Sequence, residues 1–377
     1  MVDKRKAGRL GMDLSLLGFG CMRFPSEDGK IIDEAKAGEM IDLAMANGVN
    51  YYDTAWMYHG GNSEVFIGKA LKKYPRDSYY LATKMPLEYV ESVEDLEKLF
   101  EEQMRRLDVD CIDFYLFHGL KKTKMEKMIR FGALDIIKRY RSEGKIKYIG
   151  FSFHDELDSF YNILDYYDWD FCQIQLNYVD TENQQGIEGY EALRDRGIPI
   201  MIMEPVKGGA LANMNESITE LFTGYAPDSS VASWAHRWIA SLPGITVVLS
   251  GMTTIEQVRD NLKIYSDFKP LNSEELEIIG KVRDELRKVC KVGCTDCRYC
   301  LPCPCGVKIP QVFLLYNQYY MFGDKKKLSF RMDALEGEGD GLSRCVNCGV
   351  CLSKCPQGIN IPEELSKVAA DMESMKG

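Results

Sequence analysis

The chain has 377 residues, 45% of them hydrophobic and 28% charged, with a formal net charge of −10. That length can bury a large core, and the composition is ordinary for a globular protein. The acidic balance argues against nucleic acid or an anionic membrane surface as partner. No apolar run approaches the ~20 residues of a bilayer span, and the basic, hydrophilic start at 1–11 lacks the apolar core of a secretory signal. A cytoplasmic setting is expected.

Taken in order, short apolar runs alternate with amphipathic stretches from Leu10 to Ser266. Residues 15–20 read as a first strand, followed by a helix around 34–46 that stops at Asn47-Gly48. Residues 51–53 are a second strand, then a helix over 63–73 ended by Pro75. Strand 78–84 precedes helix 94–107. Strand 111–118 is the clearest run, followed by a lysine-rich insertion at 121–127 and a helix over 133–142. Strand 146–152 leads to helix 156–166, and strand 171–177 to helix 189–196. Strand 200–204 leads through a glycine-containing loop to helix 229–241, and strand 245–250 to helix 255–265. Eight strand–helix units are the count of a (β/α)8 barrel. The alternative, an open doubly wound sheet, lacks its G-x-G-x-x-G after the first strand. The spacing assigns 1–272 to the barrel and one linking helix to 273–289. It leaves 290–377 to a small α-helical domain.

In such a barrel the chemistry sits at the C-terminal ends of the strands. Those ends carry Asp53 with Tyr58 just beyond it, Lys84, His118, Ser152 with His154, Gln173 and Asn177, Glu204 and Gly251. A Tyr hydroxyl beside a Lys is a workable proton donor or acceptor, because the ammonium lowers the phenol's pKa. An Asp would hold that Lys charged, and a neutral His could orient a substrate oxygen. Each also has a plainer reading: Asp53 could cap or salt-bridge, and Tyr58 is one of 21 tyrosines. His59 reads as a rim or substrate-facing residue, His154 as a rim residue, and His236 as structural. Cys21 reads as packing or a cofactor contact.

Asp53-Thr-Ala-x-x-Tyr58, Ser63-Glu64, Lys84 and Asp113-x-x-x-x-His118 together resemble the tetrad region of the aldo-keto reductases. Gly18-Phe-Gly20-Cys-Met22-Arg23 is similar to that family's first-strand motif. Gly150-Phe-Ser152, Gln173-x-x-x-Asn177 and Gly251-Met252-Thr-Thr-x-Glu-Gln257-x-x-x-Asn261 fall where its nicotinamide and adenosine contacts lie. The resemblance implies NAD(P)H-dependent reduction of an aldehyde or ketone, or oxidation of the alcohol. Tyr58 would be the proton donor, Lys84 and Asp53 would tune it, and His118 would orient the substrate. It also implies cofactor contacts from Gly20, Met22, Arg23, Asp53, Ser152, Gln173, Met203, Pro205, Val206, Gly251, Met252, Gln257 and Asn261. Two departures stand out. Met203-Glu204-Pro205 occupies the place of an aromatic ring stacked on nicotinamide, and Gln257 stands where a cation often meets the 2′-phosphate. NAD and NADP both stay open.

Ten of the thirteen cysteines crowd between Cys290 and Cys355. With no export signal expected, metal binding is the better reading than disulfides. Cys345-x2-Cys348-x2-Cys351-x3-Cys355-Pro356 is a bacterial ferredoxin ligand run. Cys294-x2-Cys297-x2-Cys300-x2-Cys303-Pro304 is a near copy, one residue short. Two runs imply two 4Fe–4S clusters with crossed fourth ligands. On that rule Cys294, Cys297, Cys300 and Cys355 hold one, and Cys345, Cys348, Cys351 and Cys303 the other. Cys305 rivals Cys303, Cys290 is a bystander, and structural zinc is the alternative metal. Residues 309–321 read as a helix and 337–341 as a loop. The combination resembles the aldo-keto reductases that carry a ferredoxin-like C-terminal extension.

Nicotinamide moves two electrons as hydride, whereas a cluster passes one. The clusters therefore brace the domain, feed a substrate, or exchange with a redox partner protein. A rival of another class is an iron–sulfur electron-transfer protein whose barrel binds cofactor or partner without carbonyl chemistry.

Overall fold

The computed structural model describes residues 1–294, 299–355 and 357–376. The chain opens with a hairpin that the sequence pattern hides. Lys4–Lys6 (β1) pairs antiparallel with Asp13–Ser15 (β2). Lys-Arg-Lys looks like a solvated charge run, but Arg5 turns inward and donates to Ile245 O at 2.8 Å and Ala240 O at 2.6 Å. Those carbonyls lie at the start of the last barrel strand and the end of the helix before it. Ala7 and Leu14 are buried with Tyr51, Phe114, Phe171 and Val247, so the hairpin stops that end of the barrel with apolar side chains.

Eight parallel strands then close on themselves: Leu17–Gly20 (β3), Tyr51–Asp53 (β4), Tyr80–Met85 (β5), Ile112–Leu120 (β6), Ile146–Phe153 (β7), Phe171–Gln175 (β8), Ile200–Met203 (β9) and Ile245–Gly251 (β10). The ring shuts where Gly251 of β10 pairs with Gly20 of β3. This is the expected (β/α)8 barrel. Alternate strand residues point inward to the small inner core or outward to the helix layer, as the pleat requires. The helices of the layer include Glu34–Ala46 (α1), Asn62–Leu71 (α2) and Val93–Leu107 (α3). A reciprocal Ser92–Asp95 capping box starts α3.

The lysine-rich stretch after β6 is not a loop. It forms Lys122–Arg130 (α4), which buries Met128 while Lys124 and Lys127 pair with Glu88 and Glu91, each at 3.0 Å. Repeated lysines masked its period. Ala133–Ser142 (α5), Leu157–Leu164 (α6) and Gly186–Asp195 (α7) follow near their expected places. The long stretch after β9 contains a further helix, Glu216–Thr223 (α8), before Val231–Ser241 (α9) and Ile255–Tyr265 (α10).

By its internal packing the chain divides into two units, Met1–Gly208 with Ala232–Ser273 and Gly209–Val231 with Glu274–Gly377. The second holds α8, most of Ser273–Lys288 (α11), Ile309–Phe322 (α12), Lys325–Gly337 (α13) and Ile361–Lys376 (α14). Both α13 and α14 bury apolar residues at helical spacing, Leu328, Met332 and Leu335 in the first and Ile361, Leu365, Val368 and Met372 in the second. Val312, Phe313, Tyr316, Leu328, Met332, Leu365 and Val368 form the core of this unit. No helix among the described residues is long and apolar enough to cross a membrane.

Candidate active site

The C-terminal ends of β4, β5 and β6 bring Asp53, Lys84 and His118 to one end of the barrel. Tyr58 reaches them from a tight turn, Tyr58–Gly61, that follows β4. His59 in that turn has φ 52°. This left-handed conformation costs a non-glycine residue roughly 1–2 kcal/mol. Its ring is anchored in return, with Nε2 accepting the Phe24 N–H at 3.2 Å. His59 is therefore a buried loop anchor, not the rim residue its position suggested.

Lys84 is the hub. Its Nζ donates to Asp53 Oδ1 at 2.6 Å and Thr54 O at 2.7 Å, and lies 3.4 Å from Tyr58 Oη. The residue is only 1% exposed. Burial alone would lower the ammonium's pKa, but the Asp53 carboxylate and then Tyr58 outweigh it, and the net shift is upward. Lys84 stays charged. For Tyr58 burial is the largest effect and Lys84 opposes it; the phenol ends above its ordinary value. The sequence suggested the reverse balance, because it shows the ammonium but not the depth of the pocket. The His118 ring stands edge-on to Tyr58, with centroids 6.2 Å apart. Burial, then the charges of Lys84, Lys124 and His154, hold its pKa well below the usual value, so the imidazole is neutral.

Asp53 Oδ2 and His118 Nδ1 at the strand ends, His59 Nδ1 in the turn that carries Tyr58, and Gln173 Oε1 on β8 are buried polar atoms without a hydrogen-bond partner. Unpaired buried polar atoms are costly, and each is a place where a ligand can complete the bonding. The two carbonyl-type acceptors, Asp53 Oδ2 and Gln173 Oε1, each suit an amide or hydroxyl donor.

The other residues singled out by sequence divide into two groups. Gly20, Arg23 and Gly251 gather at the β3–β10 seam, where a Cβ on Gly251 would come within 3.2 Å of the Arg23 side chain. Gln173 Nε2 is 3.6 Å from Met203 Sδ, so those two are neighbours. Met22 is exposed, Pro205 and Met252 are buried, and Val206 is intermediate. The second group is already engaged within the fold. Ser152 Oγ accepts from Gly119 N at 2.7 Å, and Asn261 donates to Ser250 Oγ at 2.6 Å. The Gln257 amide oxygen closes the capping box of α10, accepting from Thr254 N at 3.3 Å, and also accepts from Thr253 N at 2.7 Å. Asn177 holds its own loop through Val179 N and Asp180 N, both at 3.0 Å. Cys21 is fully buried packing, and His236 is buried with Nδ1 2.9 Å from Tyr265 Oη and its pKa lowered by burial to about 4.

In the second unit, Cys300 belongs to the apolar core, and Cys294, Cys303, Cys345, Cys351 and Cys355 pack against it. Burial, and then the neighbouring thiols of Cys303, Cys345 and Cys348, raise the Cys351 pKa. Those three therefore lie within electrostatic reach of Cys351. Cys305 is not in the group; its carbonyl accepts from Arg344 Nε at 2.8 Å. Among the described residues, no three His, Cys, Asp or Glu side chains converge closely enough to hold a single metal ion. Cys297 and Pro356 lie outside the described residues.

Residues 16–284 match the profile of the aldo/keto reductase family, and residues 293–359 that of a 4Fe-4S dicluster domain. The chain belongs to the aldo/keto reductase family: it is an oxidoreductase of that type with a C-terminal 4Fe–4S domain. Similar proteins include an L-galactose dehydrogenase of Arabidopsis thaliana, 24% identical over 76% of this chain and 95% of that one. An NADH-specific methylglyoxal reductase of Escherichia coli is 27% identical over 69% of this chain and 93% of its own length. Among solved structures, the holo form of an aldo-keto reductase from Bacillus halodurans matches with a TM-score of 0.62 at 26% identity, over 75% of this chain and 96% of that one.

Proposed function

We propose that the enzyme reduces an aldehyde or ketone at the expense of NADH or NADPH, or runs the reverse oxidation, with Tyr58 as the proton donor. The reading is carried by one observation: a buried Lys84 ammonium that touches both Asp53 and Tyr58 at the strand ends. The dinucleotide, when bound, supplies hydride to the carbonyl carbon. Gln173 Oε1, buried without a partner, is the acceptor that a carboxamide N–H needs. Gly20, Arg23 and Gly251 offer a narrow, glycine-lined cradle with one cation beside it.

On this reading Tyr58 Oη gives its proton to the carbonyl oxygen, and Lys84 stabilises the phenolate left behind. Asp53 keeps Lys84 charged and aimed. Neutral His118 donates a hydrogen bond to the same substrate oxygen and fixes its approach. The relation to a methylglyoxal reductase favours a small carbonyl as substrate. Tyr58→Phe should lower carbonyl reduction by roughly 100-fold or more and leave dinucleotide affinity unchanged. Full activity in that variant would overturn the assignment.

The C-terminal cysteines, on the same reading, hold two 4Fe–4S clusters. Cys294, Cys297, Cys300 and Cys355 serve one, and Cys345, Cys348, Cys351 and Cys303 the other. The nearness of Cys303, Cys345 and Cys348 to Cys351 supports that set, and Cys303 over Cys305. A cubane needs its four thiolates spread over separate irons. Iron and sulfide counts on anaerobically purified protein test the number of clusters.

A further inference from the structure

The Ser63-Glu64 pair that opens α2 has no part in the proton chemistry above, yet both residues are completely buried. Ser63 Oγ lies 2.8 Å from Thr54 Oγ1 and donates to Cys21 O at 2.9 Å, which ties the end of β4 to the end of β3. Glu64 does more. Its Oε1 accepts from Thr83 Oγ1 and from Gln103 Nε2, each at 2.7 Å. Gln103 Nε2 also donates to the Lys84 carbonyl at 3.0 Å, and Gln103 Oε1 accepts from Tyr115 Oη at 2.6 Å. The other carboxylate oxygen, Oε2, lies 3.3 Å from Arg106 NH1. The Arg106 guanidinium stacks 3.6 Å over the Trp56 ring and reaches Trp56 O at 3.4 Å.

One buried carboxylate therefore holds two arms. The first runs through Thr83 and Gln103 to the backbone of Lys84. The second runs through Arg106 to Trp56, two residues before Tyr58. We propose that Glu64 is a positioning residue that sets the Tyr58–Lys84 approach by clamping the strand that carries one to the loop that carries the other. The proposal rests on the proton-donor reading of Tyr58 and explains what maintains its geometry. The Tyr58–Lys84 separation of 3.4 Å is long for a hydrogen bond. It stands at the outer limit of such a contact, so a small outward movement of either arm breaks it. A carboxylate serves here because it accepts on both oxygens at once, and Arg106 requires the charge. Glutamine at this position can still accept from Thr83, but it presents an amide N–H to Arg106 or to Gln103. One arm then comes loose while the fold keeps its volume.

The test compares full-length, anaerobically purified enzyme with Glu64→Gln, using 4-nitrobenzaldehyde with NADH and NADPH. Misplacing a reacting group by about 1 Å costs up to ~100-fold, so a fall in kcat of roughly tenfold is expected with KM and dinucleotide affinity little changed. The crystal structure of the variant should show Tyr58 Oη farther from Lys84 Nζ. An unchanged separation, or a variant with unchanged kcat, overturns the proposal. Should Glu64→Gln fail to fold, Arg106→Leu releases the Trp56 arm from a partly exposed position and is held to the same two readouts. Failure of the unsubstituted enzyme to reduce any carbonyl overturns the functional reading instead, and the separation in the variant crystal still decides the role of Glu64.

Discussion

Replacing Lys84 with Met should destabilise the barrel by roughly 3–5 kcal/mol, the usual cost of removing one half of a buried ion pair. The loss arises at Asp53, which is 3% exposed and whose Oδ1 contacts the ammonium at 2.6 Å, while its Oδ2 has no partner. Methionine keeps most of the side chain's volume, so little of the effect is cavity formation. In the unsubstituted protein the folded-state pKa of Lys84 is raised. Its contribution is therefore fully present below the unfolded value and lost only as pH rises through the folded one; the pair is intact at neutral pH. In the variant nothing opposes the burial that already raises Asp53. A carboxyl whose pKa is raised by folding is destabilising while ionised. The deficit should thus shrink as pH falls through that raised pKa. The assay is urea unfolding followed by tryptophan fluorescence. All four tryptophans, Trp56, Trp169, Trp234 and Trp238, belong to the barrel unit, so the signal reports that unit alone. Adding Asp53→Asn should recover much of the loss, since a neutral pair has no stranded charge. The reasoning is refuted if Lys84→Met lies within about 0.5 kcal/mol of the parent, or if the double variant is no more stable than the single.

Cys303→Ser should lose roughly half of the bound iron if each cluster holds four, whereas Cys305→Ser should keep its full complement; iron and sulfide analysis under nitrogen distinguishes them. Gly68→Ala should cost about 1–3 kcal/mol by overpacking, because the new methyl group would meet the backbone of Leu107 at the end of α3; urea unfolding measures it. Carbonyl reduction should hold its rate across neutral pH while alcohol oxidation climbs with pH, since the Tyr58 phenol sits above its ordinary pKa. Steady-state profiles in both directions check this.

The barrel could be read from sequence because its strands are short and apolar and alternate with amphipathic helices. The convergence of Asp53, Tyr58, Lys84 and His118 could be read because each stands at or near the C-terminal end of a strand. What escaped reading has physical causes. Arg5 looks like a surface charge, but two backbone carbonyls capture it inside the fold. The 121–127 stretch reads as a lysine-rich insertion, but its lysines pair with Glu88 and Glu91 while Met125 and Met128, three residues apart, pack toward the core. Glu64 carried a signal, as an acidic residue at the start of a helix, but that signal also fits an ordinary dipole-favourable position. Only the distances to Thr83, Gln103 and Arg106 show that it reaches inward.

The balance at Tyr58 changes what Lys84 is for. An ammonium beside a phenol suggests a device for producing phenolate near neutral pH. Here the pocket that aligns the two also strips water from the phenol, and burial wins over the ammonium. Lys84 limits the rise and does not reverse it. Tyr58 therefore rests protonated, next to a charged lysine and a neutral His118. A resting state of that kind has a proton ready to give and no base ready to take one. On the proposed proton-donor reading that state is poised for reduction, and the lysine's contribution falls in the transition state, when negative charge develops on the phenolic oxygen 3.4 Å away. The same logic makes geometry more important than acidity at this site. A pre-ionised phenolate would tolerate a loosely held lysine, whereas a phenol that must lose its proton during the reaction needs the ammonium already in place. The buried connections from Glu64 to Lys84 and to Trp56 are built to keep it there.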